Sequence, residues 1–389
     1  MSMRLCGVLF QLVFLLGFEQ SALAMPVTEN LDVGGAIRGR LDIDPDRDIS
    51  EFNFDTLILR ADYDSDRWIG SAKYRFYGDA YPFRYTDDVG DISFFEYAWV
   101  GYRFSPDHQI QVGQTVIPFG LSPYFGSTFF ETLGNVIGLE DTHDIGFKYL
   151  GQVGDWDVQA AYYPITAQQG RGTSRGGKTY GTTVATADSY VTDGSNNEER
   201  DIVIGRLAHN YQQDDWQGEV GVSALTSTLH NHDTHKDGQR NAAALHMTAQ
   251  HGPWGFQAMA ARQDMEPKNP GDDRLVSFGG FDATFNVAAK GNFYVGDISY
   301  SLPARYGWLS GVKLYANYSL FDKDEGQFKD SQRVIVGSSF SLGPLWIALE
   351  WLHGKNDPYI GGSDFTQSLG GGGSNQWENQ LYSNIGYYF

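Results

Sequence analysis

Two sets of charged residues in this chain have the type and spacing to do chemistry. Arg38, Arg40, Arg60, Lys73, Arg75, Arg103 and Lys148 recur on one face of short alternating segments. Glu131, Glu140, Asp141 and Asp144 lie together in one stretch, Pro118 to Asp144. A basic wall facing an acidic loop across a narrow aqueous gap sets up a transverse field. Such a field sorts ions and dipoles, because charges in a confined lumen are screened less than on an open surface. Aspartates on the same face (Asp42, Asp62, Asp297) and Glu350 dilute any preference for anions.

Other candidates are weaker. His230, His232, Asp233 and His235 in "HNHDTH" have donor atoms suited to a transition metal, although such histidines in a loop are more often simply polar. The carboxylates from Asp42 to Glu51 alternate as calcium ligands do, but Arg47 stands where a calcium-binding helix–loop–helix has its glycine. The run from Gly370 to Ser374 reads as a flexible loop tip. There is no G-x-S-x-G and no H-E-x-x-H, so nothing nominates a hydrolase site and the chain reads as non-enzymatic.

The elements that would position these residues show a period of two. In "WIGSAKYRFYG" Trp68, Ala72, Tyr74 and Phe76 oppose Ser71, Lys73 and Arg75. In "WLSGVKLYANYSL" Val312, Leu314, Ala316, Tyr318 and Leu320 oppose Lys313, Asn317 and Ser319. Alternation of this kind predicts half-buried strands. Sixteen such segments follow one another. Short turns such as 65–67, 105–107, 153–155 and 343–344 alternate with longer linkers at 44–52, 79–93, 118–144, 165–200, 228–240, 265–290, 322–329 and 354–376. Most segments are close to the ~9–11 residues a tilted strand needs to cross a bilayer. Within 265–290, "RLVSFGGFDATFNVA" is itself strand-like. Rings near segment ends (Tyr63, Trp68, Tyr102, Phe104, Tyr149, Tyr300, Trp351) suit the interfacial girdles of a membrane barrel.

The first 24 residues combine Arg4, an apolar run and Ala22-Leu23-Ala24, which predicts a cleaved signal peptide over 1–24 and a mature unit over 25–389. Cys6 is the single cysteine, so the mature chain must hold together without disulfides. The formal net charge of −20 rules against nucleic-acid phosphate as a partner. Mean hydropathy is −0.37. A polar average is compatible with a membrane barrel, which shows lipid only every second side chain.

The terminal string "LYSNIGYYF" resembles the C-terminal assembly signal of bacterial outer-membrane proteins, with Phe389 last and Tyr387 two residues before it. Gly386 stands nearer the end than in the usual pattern. The mature chain resembles the sixteen-stranded bacterial porins, and "VGQTVIPFGL" is similar to the strand-to-loop passage of several porin groups, phosphate-selective-type porins included. The resemblance implies an all-β transmembrane antiparallel barrel in the Gram-negative outer membrane, with short periplasmic turns and long extracellular loops. It further implies passive diffusion of ions and small hydrophilic solutes, the 118–144 loop folded inward, a homotrimer, and lipid and lipopolysaccharide as surroundings. No cofactor is expected beyond a structural calcium at the acidic loop. The competing readings are a barrel enzyme of the outer membrane and an exported soluble β-rich binding protein.

Overall fold

Period-two alternation is what the sixteen segments share, and each forms a strand of one antiparallel sheet. The computed structural model describes residues 25–303, 305–360 and 364–389, so the signal peptide expected over 1–24 lies outside the described residues. The strands are β1 (Leu31–Asp44), β2 (Ile49–Asp64), β3 (Trp68–Tyr77), β4 (Ser93–Ser105), β5 (His108–Val116) and β6 (His143–Val153). There follow β7 (Trp156–Ile165), β8 (Asn197–Gln213), β9 (Trp216–Asn231), β10 (Lys236–His251) and β11 (Trp254–Glu266). The ring ends with β12 (Lys290–Ser301), β13 (Leu309–Lys323), β14 (Ser331–Leu342), β15 (Leu345–Lys355) and β16 (Trp377–Tyr388).

Each strand pairs with its neighbours in sequence, and β16 pairs with β1 from Ala36↔Tyr388 to Ile43↔Leu381. Phe389 continues that seam by exchanging both backbone hydrogen bonds with Gly35, at 2.7 and 3.0 Å. The aromatic C-terminus therefore closes the sheet and removes both of its edges, as a bilayer requires. Among the described residues, no helix is long and apolar enough to cross a membrane.

The two faces are distributed as in a membrane barrel. Leu59, Val100, Val112, Val203, Leu207, Val222, Leu245, Leu314, Val336 and Leu349 point outward and are exposed. Their inward neighbours include the buried Arg75, Glu96, Arg206, Arg240, Arg333 and Glu350. A soluble fold would invert this distribution, because apolar surface is costly in water and unpaired charge is costly in a core. At the short-turn rim the outer rings touch: Trp68 with Tyr102 at 5.1 Å and Trp254 with Tyr300 at 4.7 Å.

Two details differ from expectation. The linker expected over 228–240 is a tight turn, since the β9–β10 ladder runs out to Asn231↔Lys236. These two strands have 16 residues each, well beyond bilayer length. The strand-like part of 265–290 does not join the wall. It folds inside the barrel as a hairpin, Leu275–Gly280 against Ala283–Ala288, with Thr183–Val184 added at its edge. Around it lies an apolar core that includes Phe119, Phe125, Leu133, Ile137, Phe278, Phe285, Phe293 and Leu369.

Candidate functional site: the loop across the barrel and the walls that face it

After β5 the chain must leave the wall. Ile117 makes the last rung, to the Thr142 carbonyl at 2.9 Å, and Pro118 has no N–H with which to continue. The loop that crosses the interior is 117–142, slightly shorter than the expected 118–144. Asp144, expected in the loop, belongs to β6 and faces Thr115 of β5.

Strand by strand, the wall from β8 to β15 holds this loop by its backbone. Arg206 of β8 donates to the Gly120 carbonyl at 2.9 Å, and the Gly120 N–H donates to Ser223 of β9 at 2.8 Å. Arg240 of β10, fixed by Glu199 and Gln263, donates to the Gly138 carbonyl at 2.8 Å. Asp297 of β12 accepts the Ser127 N–H at 2.9 Å. Arg333 of β14, clamped by Asp357, donates to the Glu131 and Thr132 carbonyls at 2.9 and 3.1 Å. Glu350 of β15 accepts the N–H groups of Phe129 and Phe130 at 2.6 and 2.9 Å, and Tyr315 donates to it at 2.7 Å. A turn of helix, Leu133–Val136, starts at Thr132, which caps it. Gly126 lets the loop backbone lie close against Asn317 and Asp297, whose amide and carboxylate ends a Cβ there would displace.

Asp297 and Glu350 are therefore not loose lumen charges that dilute a field. They are acceptors for an otherwise unpaired loop backbone, which accounts for carboxylates inside a closed barrel.

The other wall, β1 to β6, carries the basic residues picked out by spacing, and most have a carboxylate beside them. Arg38 lies 3.4 Å from Asp55, and Arg40 holds Asp42 at 2.7 and 2.8 Å. Lys73 and Arg75 share Glu96, at 3.0 and 2.5 Å. Lys148 donates to the Val116 carbonyl at 3.0 Å. Arg60 pairs with Asp62 at 2.7 Å and is well exposed. Arg103 pairs with Asp64 at 2.6 Å beside the 65–67 turn, so it sits at the short-turn rim, away from the loop. At the level of the loop, four cations (Arg38, Arg40, Lys73, Arg75) meet three wall carboxylates (Asp42, Asp55, Glu96), leaving a small positive excess.

Glu96 was missed by spacing for a physical reason. Counting back from Arg103 by twos puts Tyr97 inward and Glu96 outward, but the β3–β4 register shifts between Lys73/Tyr97 and Tyr74/Phe95. That bulge reverses the parity. Arg206, Arg240 and Arg333 were also passed over. Their inward phase was readable, but the role of each depends on a loop distant in sequence.

The loop carboxylates divide. Glu140 closes the loop on itself, accepting from the Phe125 N–H, the Thr132 N–H and the Thr132 hydroxyl at 2.7, 3.0 and 2.5 Å. Asp141 accepts from the Tyr180 hydroxyl at 2.6 Å and lies 3.0 Å from His143 Nε2. Because His143 Nδ1 lies 2.7 Å from the Glu96 carbonyl, which only accepts, the His143–Asp141 contact needs a second proton. Burial, then the nearby Glu96 carboxylate, pushes Asp141 up to about 7. Glu131 is half-buried, and its carboxyl is pushed well above the usual range by enclosure and then by Asp141 and Glu140. Aromatic rings surround the basic wall: Arg38 stands over Phe129 of the loop at 5.5 Å, Arg75 over Tyr180 of the 166–196 segment at 4.3 Å, and Phe129 and Phe130 pack on Tyr382 of β16.

The remaining candidates have other partners. His230, half-buried near the end of β9, contacts Asp237 at 2.7 Å; His232 and His235 sit in the tight turn, His232 3.2 Å from Glu198 and His235 with a φ of 54°. In the acidic segment, Asp42 is held by Arg40 and Gln380, Asp44 by Arg47, and Glu51 by Arg84. Among the described residues, no group of three or more metal-ligating side chains comes together.

No protein-family model and no curated protein matches the sequence. Solved structures do match in shape. The outer membrane channel DcaP of Acinetobacter baumannii aligns with a TM-score of 0.60 at 13% identity, over 94% of this chain and 99% of that one. The trimer form of OmpT, an outer membrane protein of Vibrio cholerae, gives 0.55 at 13% over 92% and 99%. The anion-selective porin of Comamonas acidovorans gives 0.55 at 12% over 92% and 99%. With no more than 13% identity behind them, these likenesses concern shape, and the chain has the sixteen-stranded barrel fold seen in outer-membrane channels.

Proposed function

We propose that this chain is an outer-membrane porin, a non-enzymatic channel for passive diffusion of ions and small hydrophilic solutes. The observation that carries this reading is the inside-out barrel with a loop fixed across its interior. A lipid-facing shell, a polar interior and an inward loop together make a selective pore. The likeness to a protein described as a channel and to an anion-selective porin supports it.

In this reading the 117–142 loop narrows the lumen. Solutes pass between the face bearing Tyr124, Phe129, Phe130 and Glu131 and the wall bearing Arg38, Arg40, Lys73 and Arg75, with Lys148 behind. Arg60 and Arg103 act at the short-turn side. The small positive excess favours anions weakly. A homotrimer in a lipid and lipopolysaccharide membrane is the assembly we favour, by analogy with the trimer form of OmpT.

The test is single-channel recording of the refolded mature protein in a planar bilayer under a salt gradient. Stepwise conductance with a reversal potential on the anion side is the expected result. Silence from the folded wild type that persists in variants loosening its interior loops removes the porin reading, and a strong cation preference removes the role given to the basic wall.

A further inference from the structure

Strands β3–β4 and β11–β12 lie eight positions apart in a ring of sixteen, which places them on opposite sides of the barrel. The hairpin 275–288 grows from the β11–β12 side, yet its tip touches the loop 78–92 on the β3–β4 side. Phe281 packs against Phe94 with ring centroids 6.4 Å apart, and Tyr85 donates to Asp282 at 2.7 Å. The hairpin therefore spans the mouth.

Two other long loops are bound to it. The Phe281 and Asp282 N–H groups donate to the Thr179 and Gly177 carbonyls, both at 2.8 Å. The Asn286 and Ala288 N–H groups donate to the Thr366 and Leu369 carbonyls at 2.8 and 2.9 Å. Loop 166–196 and the segment 364–376 thus form one hydrogen-bonded body with the hairpin, above the apolar core.

Contact with loop 78–92 is thinner. Besides Tyr85 it includes Tyr81 to the Tyr359 carbonyl at 3.3 Å, Arg171 to Asp91 at 3.1 Å, the backbone pair of Arg171 with Ser93 at 2.7 and 3.1 Å, and the ring cluster of Tyr77, Phe83, Phe94, Tyr180 and Phe281. Asp282 joins three of the loops. Its carboxylate accepts from the Tyr85 hydroxyl, from the Thr173 N–H and hydroxyl at 3.0 and 2.8 Å, and from the Ser174 N–H at 2.8 Å. It sits in the left-handed region with a φ of 55°, at the turn that reverses the hairpin.

We infer that the hairpin 275–288 is a lid latched across the mouth, and that solute entry requires release of the Tyr85–Asp282 contact. The inference rests on the channel reading and concerns a second barrier, which lies on the 117–142 loop through their shared apolar core. This seam, a few hydrogen bonds, one ion pair and ring contacts, is thinner than the backbone ladders that join the hairpin to the two other loops, and the Tyr85–Asp282 hydrogen bond is its contact at the hairpin tip. Loss of one such hydrogen bond shifts a closed–open equilibrium by roughly tenfold or more.

The experiment compares the full chain with Tyr85→Phe and Asp282→Ala in planar bilayers, reading open probability and the size cut-off for neutral sugars. Barrel folding is followed by heat-dependent gel mobility. Tyr85→Phe keeps the ring and removes the latch alone, so its open probability rises roughly tenfold or to saturation. Asp282→Ala frees both neighbouring loops and also raises the size cut-off. A silent wild type with conducting variants supports the lid equally. A conducting wild type that both folded variants reproduce overturns the lid and leaves the channel reading intact. Silence from all three folded proteins overturns both. If Asp282→Ala does not fold, Tyr85→Phe decides alone.

Discussion

The two halves of the barrel interior use the same residue types for opposite ends. On the β1–β6 side, Arg38, Arg40, Lys73 and Arg75 pair with carboxylates of the same wall, and in the proposed channel their head groups border the space beside the loop. On the β8–β15 side, Arg206, Arg240, Arg333, Asp297 and Glu350 are committed to the backbone of the loop. The difference follows from which wall the 117–142 loop lies against. A buried charge that meets an unpaired peptide group becomes an anchor, whereas one that meets another side chain remains free to act on a passing solute.

The largest expected effect comes from breaking an anchor. Glu350→Ala strips the acceptor from the Phe129 and Phe130 N–H groups and from the Tyr315 hydroxyl. A buried donor left without its acceptor costs roughly 1–3 kcal/mol. The loop tip should come loose, seen as increased open-channel noise and a lower melting temperature. Unchanged noise would deny the anchoring role.

Second in size is the basic wall. Neutralising Arg38 and Arg75 together should move the reversal potential toward cations, because Glu96 is then left with Lys73 alone at that level. The anchors are untouched, so noise should stay at the wild-type level. A shift in noise without a shift in reversal potential would erase the distinction between the walls.

Titration of Asp141 is a smaller effect. Its folded value is raised, to about 7, above the ordinary ~3.9 of an aspartate. The raised value means that the folded loop holds the proton more tightly than the unfolded chain does. The resulting stabilisation is complete below about pH 4 and is lost as pH rises through about 7. Protection of the 141–143 amides relative to the unstructured chain should therefore fall between pH 5 and about 8, and Asp141→Asn should flatten that dependence. Wild-type protection that does not change with pH would show that the His143–Asp141 contact does not hold the loop.

Smallest are Arg60→Gln and Arg103→Gln. Both ion pairs are well exposed, and such pairs contribute about 0.2–1 kcal/mol at most. Neither change should move the reversal potential measurably. A shift as large as that of the Arg38/Arg75 pair would extend the selective region to the short-turn rim.

How far the sequence could be read is clearest at three places. The closing strand was legible to its last residue, because Leu381, Ile385, Tyr387 and Phe389 follow a local period of two. The inward phase of Arg38, Arg40, Lys73 and Arg75 was legible for the same reason. Glu96 was not, since a single bulge reversed the count. The hairpin 275–288 had a visible strand pattern, but nothing local says whether such a segment joins the wall or folds inside it. Its apolar residues, among them Phe278 and Phe285, found a core supplied by Phe119, Phe125 and Leu369 from loops far away in sequence.

The sequence by itself determined the number of strands, most of the long loops and the outward face of most strands; the tight turn at 232–235 and the bulge in β4 are the exceptions. Those properties rest on alternation and turn residues, which act over a few positions of chain. Tertiary structure alone decided which charges anchor and which stay free, that Asp144 belongs to a strand, and that the mouth is spanned. Each of these depends on which groups meet across the barrel, and residues such as Tyr85 and Asp282 are brought within a hydrogen bond only when the ring closes.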